Sequence, residues 1–202
     1  MASVLDTTGP APESSSADFR HVATVPGGVV AVVAISTAAA ALITFDLSAR
    51  AFVAAFFCAV LVVIAAVDLE RGIIPNRIVV PAGIVVLLGD IAAQPHRWRE
   101  WTIAAFASML AALVISLGTR GGIGMGDVKL AFLLGAGLGA SMVGGMAVAM
   151  VATLVVAVVI LARHGLSARK QAIPFAPFLA FGAVVALFAG DRLLELYAGT
   201  LS

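Results

Sequence analysis

Charge is what this chain has least of. Only 11% of its 202 residues are Asp, Glu, Lys or Arg, against about 25% in an average soluble domain. Hydrophobic residues make up 62% and the mean hydropathy is +1.13. A soluble core of that size would still need a polar exterior. Here the charges fall in short clusters between uncharged runs long enough to cross a bilayer. That composition belongs to an integral membrane protein, with membrane lipid as its surroundings. The formal net charge of +1 gives no ground for binding nucleic acid. Cysteine is nearly absent. Cys58 stands alone inside an apolar run, which excludes an intrachain disulfide and a cysteine-rich zinc site. The three histidines, His21, His96 and His164, lie in different polar segments, so no His/Glu cluster has metal-ligand spacing. No metal or cofactor is expected, and no serine or cysteine has a nucleophile motif around it.

The first 25 residues, MASVLDTTGPAPESSSADFRHVATV, differ from the rest in being rich in Ser, Pro and small polar residues. They lack a basic region before an apolar stretch, so a disordered cytoplasmic tail over 1–25 is expected rather than a cleaved signal peptide. Single helical passes fit Pro26–Phe45, Ala51–Val67, Ile78–Ala93, Thr102–Thr119 and Ala172–Gly190. Leu130–Ala162 is an uncharged stretch of 33 residues, about 50 Å as one helix at 1.5 Å per residue. It contains the glycine-dense segment GAGLGASMVGG at 135–145, suited to a turn. Charge bias separates one pass from two. Two passes make seven spans, and an inside N-terminus then puts eight Lys and Arg residues in the cytoplasm (Arg20, Arg71, Arg77, Arg120, Lys129, Arg163, Arg169 and Lys170) against four outside (Arg50, Arg97, Arg99 and Arg192). One pass gives six against six and no orientation signal. The expected fold is therefore an all-α polytopic bundle of about seven transmembrane helices in the cell inner or plasma membrane, N-terminus cytoplasmic. The first of the two passes, roughly 128–140, is short, and Gly135-x-x-x-Gly139 would let it pack closely.

This topology places the loop DLERGIIPNR (68–77) and the loop 120–129, which ends in GGIGMGDVK, on one side of the membrane. Each brings an acid to a helix boundary, Asp68 just after the second span and Asp127 just before the fifth. A carboxylate beside hydrocarbon is costly, by about 2.5–3.5 kcal/mol at the midplane and less at the interface, and so marks a functional candidate. The glycines around Asp127 would let the backbone approach its neighbours closely and adopt positive φ. Each residue also has a plainer reading. Asp127 fits a first-turn acid on a helix dipole, and Asp68 an interfacial charge. Pro75–Asn76 fits a turn that starts the third span, and Lys129 a snorkelling cation.

Taken together, three motifs carry a resemblance. Asp68 followed by Ile74-Pro75-Asn76, then Gly124-x-Gly126-Asp127-Val128-Lys129-Leu130, then Ile173-Pro174-Phe175-Ala176-Pro177-Phe178, resembles the type IV prepilin peptidases, the GxGD-type intramembrane aspartyl proteases. The resemblance covers roughly residues 50–190. It implies a transmembrane peptidase domain over 26–202 in which Asp68 and Asp127 are the catalytic pair at the cytoplasmic boundary. Gly124, Gly126, Lys129, Pro75, Asn76, Pro174 and Pro177 are then motif residues in support. The implied substrate is a prepilin-like protein, a short basic leader followed by a hydrophobic helix, and the implied reaction is endoproteolytic removal of that leader. Larger members of the family carry an N-terminal domain with paired zinc-binding cysteines and also N-methylate the new pilin terminus. This chain resembles the compact form, for which methyltransferase activity is not expected. Ala176 stands where many relatives have glycine, a small-for-small change.

The chemistry of such a pair follows from the residues alone. Peptide hydrolysis needs an attacking water, a base to take its proton, and an acid to polarise the carbonyl and protonate the leaving amine. Two carboxylates that share one proton supply all three and titrate as a unit. A related preflagellin-type GxGD protease, a small proton-coupled transporter and a non-enzymatic assembly subunit are the alternatives. A transporter predicts internal repeats, and none is convincing here. Outside the motifs, Trp98 and Trp101 with His96, Arg97 and Arg99 read as an outer interface anchor. Asp90, near the outer end of the third span, reads as a residue with a partner inside the bundle.

Overall fold

The computed structural model describes residues 25–119, 124–164 and 174–199. Residues 1–24, Arg120, Gly121, Gly122, Arg169, Lys170 and Ile173, which figure in the tail, loop and charge arguments above, lie outside the described residues. Among those described there are seven α-helices and no strand: α1 Gly27–Thr44, α2 Ala49–Arg71, α3 Asn76–Ala93, α4 Trp98–Gly118, α5 Met125–Leu138, α6 Met142–His164 and α7 Ala176–Gly199. By length and composition five stretches are able to cross a membrane, with α5 and α6 counted as the single stretch Met125–Arg163, and Ala176–Gly190 is a shorter apolar segment.

The long stretch does not run as one helix. Gly139 takes φ +56, ψ −132, a 3-10 turn covers Gly139–Ser141, and α6 starts at Met142. A left-handed φ is costly for any residue with a Cβ, and a Cβ at 139 would also meet the Trp101 ring at 2.8 Å. The chain therefore turns back where the glycine-dense segment suggested. With 14 residues α5 is about 21 Å long, as short as expected.

Contacts at the helix ends show that successive helices alternate in direction. The Val25 N–H, just before α1, donates to Glu70 Oε1 near the end of α2 at 3.2 Å. The start of α7 meets α2 at the same end. At the other end Arg50, at the start of α2, reaches Asp90 near the end of α3 and lies over Trp101 at the start of α4. A Cβ on Gly190 of α7 would touch Ser141 at the α5–α6 turn.

In lipid there is little apolar driving force between helices, so association rests on close packing of small residues. A Cβ added to Gly135 would run into the Ala104 backbone of α4, and one added to Gly182 into the Gly145 backbone of α6. The inward faces form one cluster around α5, with Phe57, Leu61 and Ile64 from α2, Val79 and Val86 from α3, and Leu179 and Ala183 from α7. Large apolar residues such as Val143, Met150 and Leu154 of α6 face outward. The pattern is that of a bundle solvated by hydrocarbon.

Several boundaries differ from the sequence reading. α2 continues through Asp68 to Arg71, because nothing in AVDLER interrupts a helix until Gly72, which caps it in the left-handed region at φ +62. Asp68 thus lies in the last turn of α2 rather than after it. α4 starts at Trp98, after a 3-10 turn over Pro95–Arg97, and not at Thr102. Trp101 is no interface anchor. It is fully buried, with the Arg50 and Arg97 guanidiniums 5.0 and 5.2 Å from the ring, while Trp98 remains half-exposed. Arg97 is held in turn by Glu100 at 2.6 and 2.8 Å. Asp90, buried, has its expected partner in Arg50 at 3.9 Å.

Candidate active site

Asp68 is set by two helix ends. Its own carbonyl accepts the Gly72 N–H at 2.8 Å, which closes the last turn of α2. Its side chain, 7% exposed, accepts the Ala176 N–H on Oδ2 at 3.1 Å. Ala176 is the first residue of α7, where helix N–H groups have no intrahelical partner and the positive end of the macrodipole favours a carboxylate.

Asp127 lies at the opposite kind of helix end, in the first turn of α5. Gly124 is the N-cap, and its carbonyl accepts the Asp127 and Val128 N–H groups at 3.0 and 3.3 Å. The Asp127 carboxylate folds back toward Gly124, with Oδ2 3.5 Å from where a Cβ on that glycine would sit. The half-buried Asp127 side chain also lies close enough to Asp68 for the two charges to interact. Asp127 is thus a first-turn acid, as its plainer reading had it, and lies within electrostatic range of Asp68. Two acids 59 positions apart meet at one end of the bundle.

Of the two motif glycines Gly126 acts by size, and neither takes a positive φ. Gly124 has φ −67, and the positive-φ glycines among the described residues are Gly72 and Gly139. The expected left-handed backbone at the GxGD glycines is thus corrected: an N-cap needs an extended conformation, which any residue adopts. Close approach does hold at Gly126, where a Cβ would lie 2.8 Å from Ile74 Cβ. Ile74 precedes Pro75, the N-cap of α3, whose carbonyl accepts the Ile78 and Val79 N–H groups at 3.0 and 3.2 Å. The motif Ile74-Pro75-Asn76 therefore packs directly on the first turn of α5.

The remaining motif residues show no such role through size or capping, and each is placed by its element alone. Asn76 is exposed at the first position of α3 and makes no side-chain cap. Lys129 is half-buried two residues beyond Asp127, and residues so spaced do not share a helix face. Pro174 and Pro177 flank the donor residue Ala176. Sequence reasoning had marked the two prolines but not the amide between them. Prolines have no N–H, so Phe175 and Ala176 are both possible donors between them, and no residue pattern singles out Ala176.

A profile of the type IV leader peptidase family matches residues 55–166. A prepilin leader peptidase/N-methyltransferase of Bacillus subtilis (strain 168) is 32% identical over 166 residues, covering 79% of this chain and 64% of the relative. Proteins of that name in Burkholderia pseudomallei strains 1026b and K96243 are 32% identical over 197 residues, covering 89% of this chain and 61% of theirs. The chain belongs to the type IV leader peptidase family. It spans a little over three-fifths of the length of these curated relatives. No solved structure matches. The family match contains Asp68, Pro75, Asn76, Gly124, Gly126, Asp127 and Lys129 and stops short of Pro174 and Pro177.

Proposed function

We propose that this chain is an intramembrane aspartyl endopeptidase that removes the leader from a prepilin-like protein, with Asp68 and Asp127 as its catalytic pair. The observation that carries this reading is the approach of the two carboxylates at one end of the bundle, Asp68 held by the Ala176 N–H at the start of α7 and Asp127 in the first turn of α5. Family membership supports the reaction class.

Two carboxylates brought within a few ångströms of each other ionise as a pair and hold one proton between them. The ionised member takes a proton from water as the oxygen attacks the scissile carbonyl. The protonated member donates to the carbonyl oxygen, giving a tetrahedral diol. Collapse of the diol breaks the C–N bond, the amine leaves with a proton from the dyad, and the shared proton is restored.

The position of the pair at helix ends suits a substrate whose scissile bond lies where a hydrophobic helix leaves the membrane. With the N-terminus cytoplasmic, this is the cytoplasmic face of the cell membrane, where a leader precedes its helix. The tail and the charges at 163–170 then share that side. Removal of the leader is the activity proposed. The test is co-expression with candidate prepilin-like proteins, scored by loss of the leader. Cleavage by the wild type and none by Asp127→Asn is the expected result, and cleavage by both overturns the reading.

A further inference from the structure

Accepting Asp68 as one of the catalytic pair, we infer that the Ala176 main-chain amide is a positioning group for it, which makes α7 a third element of the site although it contributes no side chain to the chemistry. The first turn of α7 directs a single donor at the carboxylate. Phe175 C=O accepts the Phe178 and Leu179 N–H groups at 3.1 and 3.2 Å, Pro177 has no N–H, and the Ala176 N–H goes to Asp68 Oδ2 at 3.1 Å in buried surroundings. Ala176 is itself fully buried, so water does not compete for that donor. With Oδ2 fixed, rotation of the carboxylate about its Cβ–Cγ bond is arrested and the direction of Oδ1 is set. Asp68 is therefore preorganised by a main-chain donor, which most side-chain substitutions leave in place.

The experiment removes the donor and keeps both acids. Ala176→Pro is compatible with the first helical position and eliminates the N–H. Ala176→Gly is the conservative variant that retains it. With a reporter of basic leader plus apolar helix, Ala176→Pro lowers kcat about 10²-fold, the cost of misplacing a catalytic group by about 1 Å, with KM within about twofold, and Ala176→Gly restores most of the loss. Wild-type kcat in Ala176→Pro, or a loss confined to KM, overturns the inference. A second measurement needs no catalysis. The Ala176 amide hydrogen, protected in wild type by the Asp68 carboxylate, exchanges at least about tenfold faster in Asp68→Ala, since a first-turn helix N–H has no other partner. Unchanged exchange overturns the inference even where Ala176→Pro fails to fold. If the wild type leaves every reporter intact, the peptidase reading fails, while the exchange rates still decide whether Asp68 is held by α7.

Discussion

Gly126→Ala adds one methyl group next to Asp127 without touching either acid. A Cβ at 126 lies 2.8 Å from Ile74 Cβ and 3.5 Å from its Cγ1 and Cδ1. Carbon pairs are best separated by about 3.5–4.0 Å, so the first turn of α5 or the segment before α3 must retreat by roughly 0.7–1 Å. Neither yields easily. Ile74 packs on the buried cluster and precedes the proline that caps α3, while α5 is anchored below by nine buried residues. Overpacking of this kind costs about 1–3 kcal/mol. A displacement of about 1 Å at the neighbouring Asp127 lowers the rate about 10²-fold.

The assay is leader cleavage by protein purified in detergent, followed as kcat together with thermal stability. Ile74→Gly removes the atom that the new methyl group meets, so the double variant Gly126→Ala/Ile74→Gly regains much of the lost kcat, though not the packing of the isoleucine. A single variant that cleaves within about threefold of wild type refutes the reasoning, because the contact would then be yielding. A folded double variant as inactive as the single refutes it differently: Gly126 would be needed for something other than Ile74, such as room for the substrate backbone.

Asp68→Asn and Asp127→Asn should each reduce cleavage by about 10²–10⁴-fold, with the double variant hardly worse than either, since the pair acts as one unit. Thermal stability in detergent should hold or rise slightly, as a neutral amide beside hydrocarbon is less costly than a carboxylate. Asp90→Asn reverses that pattern. It should keep most of the cleavage but lose a little stability through the contact with Arg50, by about 1 kcal/mol or less, because the contact is 3.9 Å long, Arg50 is partly exposed and it keeps its place over Phe45 and Trp101. Comparing leader loss with melting temperature separates the two ends of the bundle. For orientation, a cysteine at Arg71 should resist a membrane-impermeant thiol reagent in intact cells and one at Arg99 should react, since both positions are exposed and native Cys58 is buried. Labelling at 71 from outside would invert the assigned topology. Deleting residues 1–20 should leave cleavage largely intact. A deletion that inserts normally but cannot cleave would refute that expectation.

The helices were legible because charge spacing is a one-dimensional signal, and so was the turn inside 130–162, because glycine density marks a place where a helix is able to stop. Asp68 and Asp127 were legible as isolated acids at hydrophobic boundaries. What the sequence hid were contacts whose chemistry is carried by the main chain or by shape. The Ala176 donor has no side-chain signature, and Gly126 looks flexible in sequence but is needed for its lack of a Cβ. Trp101 beside Arg97 and Arg99 imitates an interface anchor. Its burial depends on Arg50, 51 positions earlier, which covers it from the start of α2. Such a contact follows from where helices end relative to one another, and a pattern of single residues does not encode that.

The polar cluster far from the dyad accounts for how a helix as short as α5 holds Asp127 at a fixed depth. A 14-residue helix spans about 21 Å, roughly 9 Å less than a hydrocarbon core of about 30 Å, so mismatch alone would let it slide or tilt. Its lower end is fixed by Gly139 against Trp101 and by Glu100 Oε1, which accepts the Ala140 N–H at 3.4 Å. Glu100 and Trp101 are held by Arg97 and Arg50, and Arg50 by Asp90. At its upper end Gly126 rests on Ile74. With both ends set by neighbouring helices, the depth of Asp127 is a property of the bundle rather than of the lipid. Loosening the lower anchor should therefore reach the dyad: Glu100→Gln, which weakens the hold of Arg97, is expected to lower kcat modestly, by about two- to fivefold for an equivalent 0.4–1 kcal/mol, and more in thick bilayers than in thin ones. Equal effects in vesicles of short-chain and long-chain lipid would show that α5 keeps its depth without the cluster.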